Sequence, residues 1–438
     1  MSQPTSFVDR LFSFPRVFWV ANLIEVLERF AYYGIYIPFG LYMAELGYSR
    51  DQLGIVQTIF LLLSYVFPII SGTFADRFGF KPVLIVSCLI YLPAILLLLT
   101  TESFFGIAMV MLMIGLGAGT FKPLISGTVR VTSDITNKTL GFGIFYLMVN
   151  VGGTFGPISA SKLREISWGT VFGVAAGCIG LMLVLTLLFY KEPPRALEGK
   201  TLRQTFADLG IVLVDFKFVV FLVLLGVFFW IPFWAFFNLG ALYIQESLDR
   251  ARLYEQIAGV PLGVGPVLAW VFGGQDADGV SRVQGDALAN TGIVILVFQL
   301  FVSWFFEKWR AMPAFLTGLL IAAAGFVVIG LARVGNPGLV LLGIFLFAIG
   351  EMASSPRIQE YITWLAPKEK AGLYMGSNFL AVAIGAFSGT LYQSVAARCE
   401  TAGRPEAVWY VLAAHLVIGA LLLHFYVKRV GEFKEQEA

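Results

Sequence analysis

The chain reads as an all-α membrane protein of twelve transmembrane helices arranged as two six-helix bundles. Three observations predict this. Hydrophobic residues make up 58% of the 438 and charged residues only 13%, against about 25% charged in a soluble domain. Twelve apolar stretches are near or above the roughly 20 residues that cross a bilayer at about 1.5 Å each. They run 18–43, 53–73, 82–100, 104–127, 140–162, 169–190, 217–245, 290–306, 312–332, 338–365, 372–396 and 406–427. A polar stretch at 191–216 divides them six and six.

Gly, Pro and charge clusters separate the stretches and mark the loops. With an even number of spans, about two-thirds of the loop lysines and arginines fall on the side of both termini. That bias predicts cytoplasmic termini. Met1 to Arg16 is polar and lacks a cleavable signal pattern, so the first span is expected to act as its own insertion signal. A net charge of +2 gives no ground for a nucleic-acid partner. Cys88 and Cys178 fall inside spans and Cys399 in an external loop, with no pair or metal spacing. No disulfide, metal or cofactor is expected.

The first span is the most informative. Glu25, Glu28 and Arg29 stand at i, i+3 and i+4 and share one helix face. Each charge at bilayer depth costs roughly 2.5–3.5 kcal/mol on insertion scales, so the face must meet protein or water. Tyr33 and Tyr36 continue that face and so are candidate substrate contacts, and Tyr32 lies beside them. The second span leads into Gly72 to Pro82, a short loop holding Asp76, Arg77, Gly79 and Lys81. The fourth span carries Lys122 after a Gly-rich run, Gly115 to Gly119. Small residues there let helices approach closely. A lysine at that depth needs a carboxylate, and Glu25 or Glu28 is the expected partner.

After the sixth span, Lys191-Glu192-Pro193-Pro194-Arg195 opens the linker. The expected division is 1–190, a cytoplasmic linker 191–216, and 217–438. An acid–base cluster recurs after span eight at Glu307-Lys308-Trp309-Arg310, an echo of the Asp76 loop that suggests duplicated halves. Residues 246–289 form an external insert with six acids, three bases and many Gly and Pro. Its apolar piece, 258–272, is short and Gly-rich for a span, and reads as surface-lying or re-entrant. Glu351 sits in the middle of the tenth span, with Arg357 six residues on and on another face, near the cytoplasmic end. His415 and His424 on the twelfth span are expected to pack rather than to face a cavity.

These buried charges suggest a switch. A carboxylate beside a cation stays ionised; deprived of that partner in a dry cavity, it takes up a proton. Two carboxylates beside a lysine and an arginine could therefore exchange a proton for a substrate carboxylate. The alternative is a structural network pinning the first and fourth spans together. No Ser/His/Asp or Cys/His set, metal spacing or phosphate-cradling loop points to an enzyme.

Several motifs carry a resemblance. The loop at Asp76, Arg77, Gly79 and Lys81 resembles the signature loop of the major facilitator superfamily, which implies a latch between halves. Glu25-x-x-Glu28-Arg29-Phe30-Ala31-Tyr32-Tyr33-Gly34 is similar to the signature of the proton-coupled oligopeptide transporter family. Phe145-Tyr146 to Gly152, Glu351 to Pro356, Leu365-Ala366-Pro367 and Gly372 to Leu380 follow in that family's order.

The resemblance implies the major facilitator fold, alternating access and proton-coupled import of short peptides or similar zwitterions or carboxylates. It implies that Glu25, Glu28, Arg29 and Lys122 form the coupling and carboxylate-binding cluster. Tyr32, Tyr33, Tyr65 and Asn150 would line the site in the first half. Glu351 would receive the substrate amino group, with Asn290 as a further contact. Asp76, Arg77 and Lys81 would gate. The implied partners are a small-molecule substrate, protons and the lipid bilayer, for a monomer in a bacterial cytoplasmic (inner) membrane.

Three departures stand out: Tyr36 where a second arginine is common, Asn238 in place of an acid, and Asn378 in place of a tryptophan, with Asn238 and Asn378 still expected at substrate-binding positions. The extra helix pair that many bacterial members carry between the halves is also missing. A neutral Asn238 cannot hold a proton, so coupling would rest on the first and fourth spans. The competing expectation keeps the fold: an exporter or facilitator of another metabolite, drug or lipid, without proton coupling. A transporter-like receptor would require these charges to be relics.

Overall fold

The computed structural model describes residues 11–134, 137–194, 201–261, 263–276, 278–332, 336–366 and 371–430. Both chain ends, Arg195 and Pro367 lie outside the described residues. Every apolar stretch expected to span is helical. The elements are α1 (Arg16–Tyr36), α2 (Phe39–Glu45), α3 (Arg50–Phe78), α4 (Phe80–Leu98), α5 (Phe104–Thr132), α6 (Lys138–Arg164) and α7 (Trp168–Leu188). The linker contributes α8 (Leu202–Val214). The second half holds α9 (Phe216–Leu225), α10 (Ile231–Ser247), α11 (Arg250–Ala258), α12 (Val264–Phe272) and α13 (Gly285–Leu288). It ends with α14 (Gly292–Phe306), α15 (Ala311–Leu331), α16 (Leu339–Leu365), α17 (Ala371–Gly385), α18 (Ser388–Thr401) and α19 (Ala407–Val430).

Eleven helical segments among the described residues are long and apolar enough to cross a membrane. The segment that falls outside that group is α1, whose 21 residues carry Glu25, Glu28 and Arg29.

Local chemistry sets the boundaries. Ser49 Oγ accepts from the Gln52 N–H while Gln52 Oε1 accepts from the Ser49 N–H, a capping box at the start of α3. Ser103, Ser167, Thr201 and Asp215 cap α5, α7, α8 and α9 in the same sense. Glu192 accepts from the Phe80 and Lys81 N–H groups, each at 2.7 Å, and so satisfies two free donors at the start of α4. Gly79, between α3 and α4, has φ of 99°, and the Glu192 carboxylate fills the space a side chain would need.

Three spans are interrupted. The first breaks at Ile37–Pro38, because proline has no N–H to continue the ladder. The seventh contains a π-helical turn, Gly226–Trp230, between α9 and α10. Pro232 follows it and cannot donate to the Phe228 carbonyl, which accounts for the widened turn. The eleventh breaks between Gly385 and Ser388.

In the first half α1 packs on α6 and α7, and α5 lies against α3 and α4; in the second, α15 packs on α16 and α19. Among the described residues one hairpin departs from an all-helical fold: β1 (Gly273–Gln275) pairs antiparallel with β2 (Ser281–Val283) in the insert, with Gly273 opposite Val283. Strands of three residues leave no periodic signal in a sequence.

The halves meet closely at one end. Arg50 pairs with Glu246 at 2.7 Å and Glu400 at 2.5 Å, and Ser394 donates to Asp51 at 2.5 Å. Deeper, Thr58 and Thr390 hydroxyls are 2.8 Å apart, and Gly54 and Gly389 leave no space for a Cβ between α3 and α18. The opposite end has an open cleft of about 900 Å³, lined in part by Gly72, Asp76, Ser126, Arg130, Asp208 and Ser377.

Candidate substrate and coupling site

The α1 charges form a compact network. Arg29 Nε lies 2.9 Å from Glu25 Oε1 and 2.8 Å from Glu28 Oε2. All three are buried, Glu28 completely. Glu25 Oε2, both Glu28 carboxylate oxygens and Arg29 Nε have no hydrogen-bond partner among the described residues, so Arg29 holds the carboxylates by charge and proximity. One arginine thus serves two carboxylates and leaves each with unused acceptor capacity, at a cost of roughly 1–3 kcal/mol or more per charged group.

Glycines on α6 set the position of this face. Gly152 and Gly156 lie against the Val26 and Phe30 carbonyl oxygens, and Gly156 also against Gly34. That small-residue spacing brings α6 backbone onto α1.

Lys122 is placed differently from the expectation. Among the described residues no carboxylate lies within ion-pair distance of it. Its ammonium donates to the Ser64 carbonyl at 3.2 Å and sits 3.7 Å from the Tyr65 ring and 4.8 Å from the Tyr32 ring. The cause is helix approach. Gly115 and Gly119 of α5 press on the backbone of α3 at Phe60 and Leu63, and Ser71 donates to the Gly119 carbonyl at 3.1 Å. Lys122 therefore reaches α3 before α1. Cation–π contact of this kind contributes roughly 0.5–2 kcal/mol.

The tyrosines divide. Tyr32 and Tyr33 both lie with the charges: the Arg29 guanidinium is 5.4 Å from the Tyr32 ring centre and also meets the Tyr33 hydroxyl. Tyr33 packs on Gly153 of α6. Tyr36 is buried against Phe60 and Trp234 and donates to Asn238 Oδ1. Asn238 Nδ2 donates in turn to Ser388 at 3.0 Å, and Gln393 donates to the Asn238 carbonyl and to Gln57, each at 3.0 Å. Tyr36 and Asn238 thus form a buried strut between halves. Gln57 and Gln393 belong to it; their signal was a glutamine inside an apolar span.

In the second half, Glu351 Oε2 accepts from Thr291 at 3.1 Å and is within electrostatic range of Tyr33 and Tyr146. Its neighbour Asn290 donates to the Gly153 and Thr154 carbonyls of α6 at 3.3 and 3.0 Å. Asn150 donates to the Tyr146 carbonyl on its own helix at 2.8 Å. Asn378 Oδ1 is buried without a hydrogen-bond partner among the described residues.

Arg357 holds Glu360 at 2.6 Å and the Phe306 carbonyl at 2.5 Å, away from Glu351. In the Asp76 loop, Lys81 donates to the Leu187 carbonyl at 3.0 Å, Arg77 lies over Phe78, and Asp76 lines the open cleft. His415 contacts the Tyr392 hydroxyl at 2.6 Å and the Phe228 ring, bridging α19 to its neighbours.

A membrane-spanning fold of two helical bundles, with buried charges at their seam, defines a transporter. The Major Facilitator Superfamily model matches residues 18–390, and the chain belongs to that family.

Relatives include the uncharacterized transporter YclF of Bacillus subtilis (strain 168), 23% identical over 94% of each chain. The multidrug resistance protein MdtH of Cronobacter sakazakii is 24% identical over 96% of each. The peptide transporter YePEPT of Yersinia enterocolitica is 26% identical, covering 83% of this chain and 84% of that one. The crystal structure of a POT family transporter in complex with 5-aminolevulinic acid superposes with a TM-score of 0.77, covering 98% and 99% at 20% identity.

Proposed function

We propose that this protein is a proton-driven transporter of short peptides or related small zwitterions and carboxylates. The observation that carries the reading is the unsaturated α1 network beside an unpaired lysine. Glu25 and Glu28 share Arg29, and Lys122 stands close by with no carboxylate within ion-pair distance among the described residues. A substrate carboxylate would meet Lys122 beside Tyr32 and Tyr65, with Tyr33 and Asn150 lining the rest of the site, and a proton would meet a glutamate. Glu351, held by Thr291 on the other half, offers the opposite pole for a substrate ammonium. Tyr36 and Asn238 act as the strut rather than as substrate contacts. The peptide reading is supported by YePEPT and by the POT family structure.

The arrangement fits alternating access with the Arg50 end external and closed, and the Asp76 end cytoplasmic and open. Both termini would then be cytoplasmic, in the inner membrane of a bacterium, with the monomer as the working unit. Asp76, Arg77 and Lys81 would act in closing the cleft. Asp76→Asn should shift the balance of states, read by site-directed spin-label distances across the cleft. Unchanged distances and unchanged transport would remove these residues from gating.

The deciding experiment is dipeptide uptake into proteoliposomes under an inward proton gradient. Lys122→Gln should lower driven uptake at least about tenfold, the equivalent of one lost charge-assisted contact. Glu351→Gln should raise the substrate concentration needed for half-maximal uptake. Wild-type protein that is folded yet transports no peptide would favour the second reading, efflux of another small molecule. The MdtH relative and the neutral Asn238 and Asn378 support that alternative.

A further inference from the structure

A groove of about 690 Å³ opens on the side of the molecule, between α6 and α7 of the first half and α12 and α14 of the second. Its walls include Phe155, Ile158, Trp270, Val271, Leu296 and Val297. Phe155, Trp270 and Val297 are exposed, although α6 and α14 lie in membrane-spanning segments. At one end Lys162 lines the groove, donates to the Gly273 carbonyl and stands 6.0 Å from the Trp270 ring centre. The Glu165 carboxylate occupies the place a Gly274 Cβ would take, beside that lysine contact.

We propose that the groove holds one acyl chain of a zwitterionic aminophospholipid, its phosphate on Lys162 and its ammonium on Glu165. The dimensions agree. Along α6 the groove runs from Thr154 to Lys162, eight residues or about 12 Å of rise. That is close to one leaflet of a hydrocarbon core about 30 Å thick. Tryptophan and lysine at the rim mark headgroup depth. An ammonium has three donors, and Gly273 takes one, so Lys162 keeps donors for a phosphate. An acid and a base three residues apart match a head of both signs better than an anionic head.

The two walls belong to different halves, so the lipid binds an arrangement rather than a surface. The insert reinforces that arrangement: Arg164, next to the rim, pairs with buried Asp286 at 3.2 Å and with Gln284 at 2.9 Å. A ligand that fits only this arrangement shifts the equilibrium toward it. The lipid therefore weights alternating access toward the state closed at the insert end. This holds whatever the solute carried.

The test uses the full chain in nanodiscs of phosphatidylcholine doped with photoactivatable phosphatidylethanolamine, labelled in mid-chain, with adducts mapped by mass spectrometry. Labelling should concentrate on α6 and α12 and fall several-fold when unlabelled phosphatidylethanolamine, but not phosphatidylglycerol, competes. Ile158→Trp fills the groove and should remove that labelling; Leu296→Trp approaches from the other wall if the first variant does not fold. Lys162→Gln with Glu165→Gln should abolish the headgroup preference and leave thermal unfolding cooperative. Even labelling around the whole belt, the same in wild type and groove-filled variants, would mean annular lipid only and overturn the site. Equal competition by phosphatidylglycerol would overturn the zwitterionic assignment.

Discussion

Arg29→Met should destabilise the protein by about 3–5 kcal/mol, the usual cost of stripping the partner from a buried charge. Arg29 is the one cation within ion-pair distance of Glu25 and Glu28 among the described residues. Lys122 is held by the Ser64 carbonyl and two aromatic rings, so it cannot take over without leaving them. Methionine keeps most of the volume and removes the charge. Glu28→Gln in the Arg29→Met background should recover part of the loss, because it removes one of the two orphaned charges. Thermal and denaturant unfolding in detergent measures both. A single variant within about 0.5 kcal/mol of wild type, the range of ordinary surface changes, would mean that water already screens these carboxylates.

The sequence revealed those features of the site that are local. The i, i+3, i+4 spacing of Glu25, Glu28 and Arg29 fixes a shared face on any helix, and the structure keeps them together. The spans were legible for the same reason, since length and apolarity need no tertiary contact. What depended on helix approach was not legible. The neighbours of Lys122 are set by Gly115 and Gly119 pressing α5 onto α3. The strut from Tyr36 through Asn238 to Ser388 joins residues up to 202 positions apart in each link. From sequence, Asn238 reads as the loss of an acid; in the fold it is the gain of an amide that both donates and accepts across the seam. The β1–β2 hairpin and the π turn before Pro232 were hidden because three-residue strands and one widened turn change no pattern.

The arrangement of the network also rests on uncharged residues, and this gives the second large effect. Gly156→Leu should abolish transport and cost about 1–3 kcal/mol in stability, the range for overpacking a close contact. A Cβ at Gly156 would strike the Phe30 carbonyl and the Gly34 backbone, and one at Gly152 would strike the Val26 carbonyl and Arg29. The neighbours are backbone and cannot rotate away, so α1 must move off α6. That displaces Arg29 and with it both carboxylates. Gly143→Leu on the same helix is the control, because nothing lies within 4 Å of a Cβ there. Fluorescence thermal unfolding and uptake, measured side by side, separate the outcomes. If Gly156→Leu transports as Gly143→Leu does, the close α1–α6 approach is not what holds the coupling residues in place.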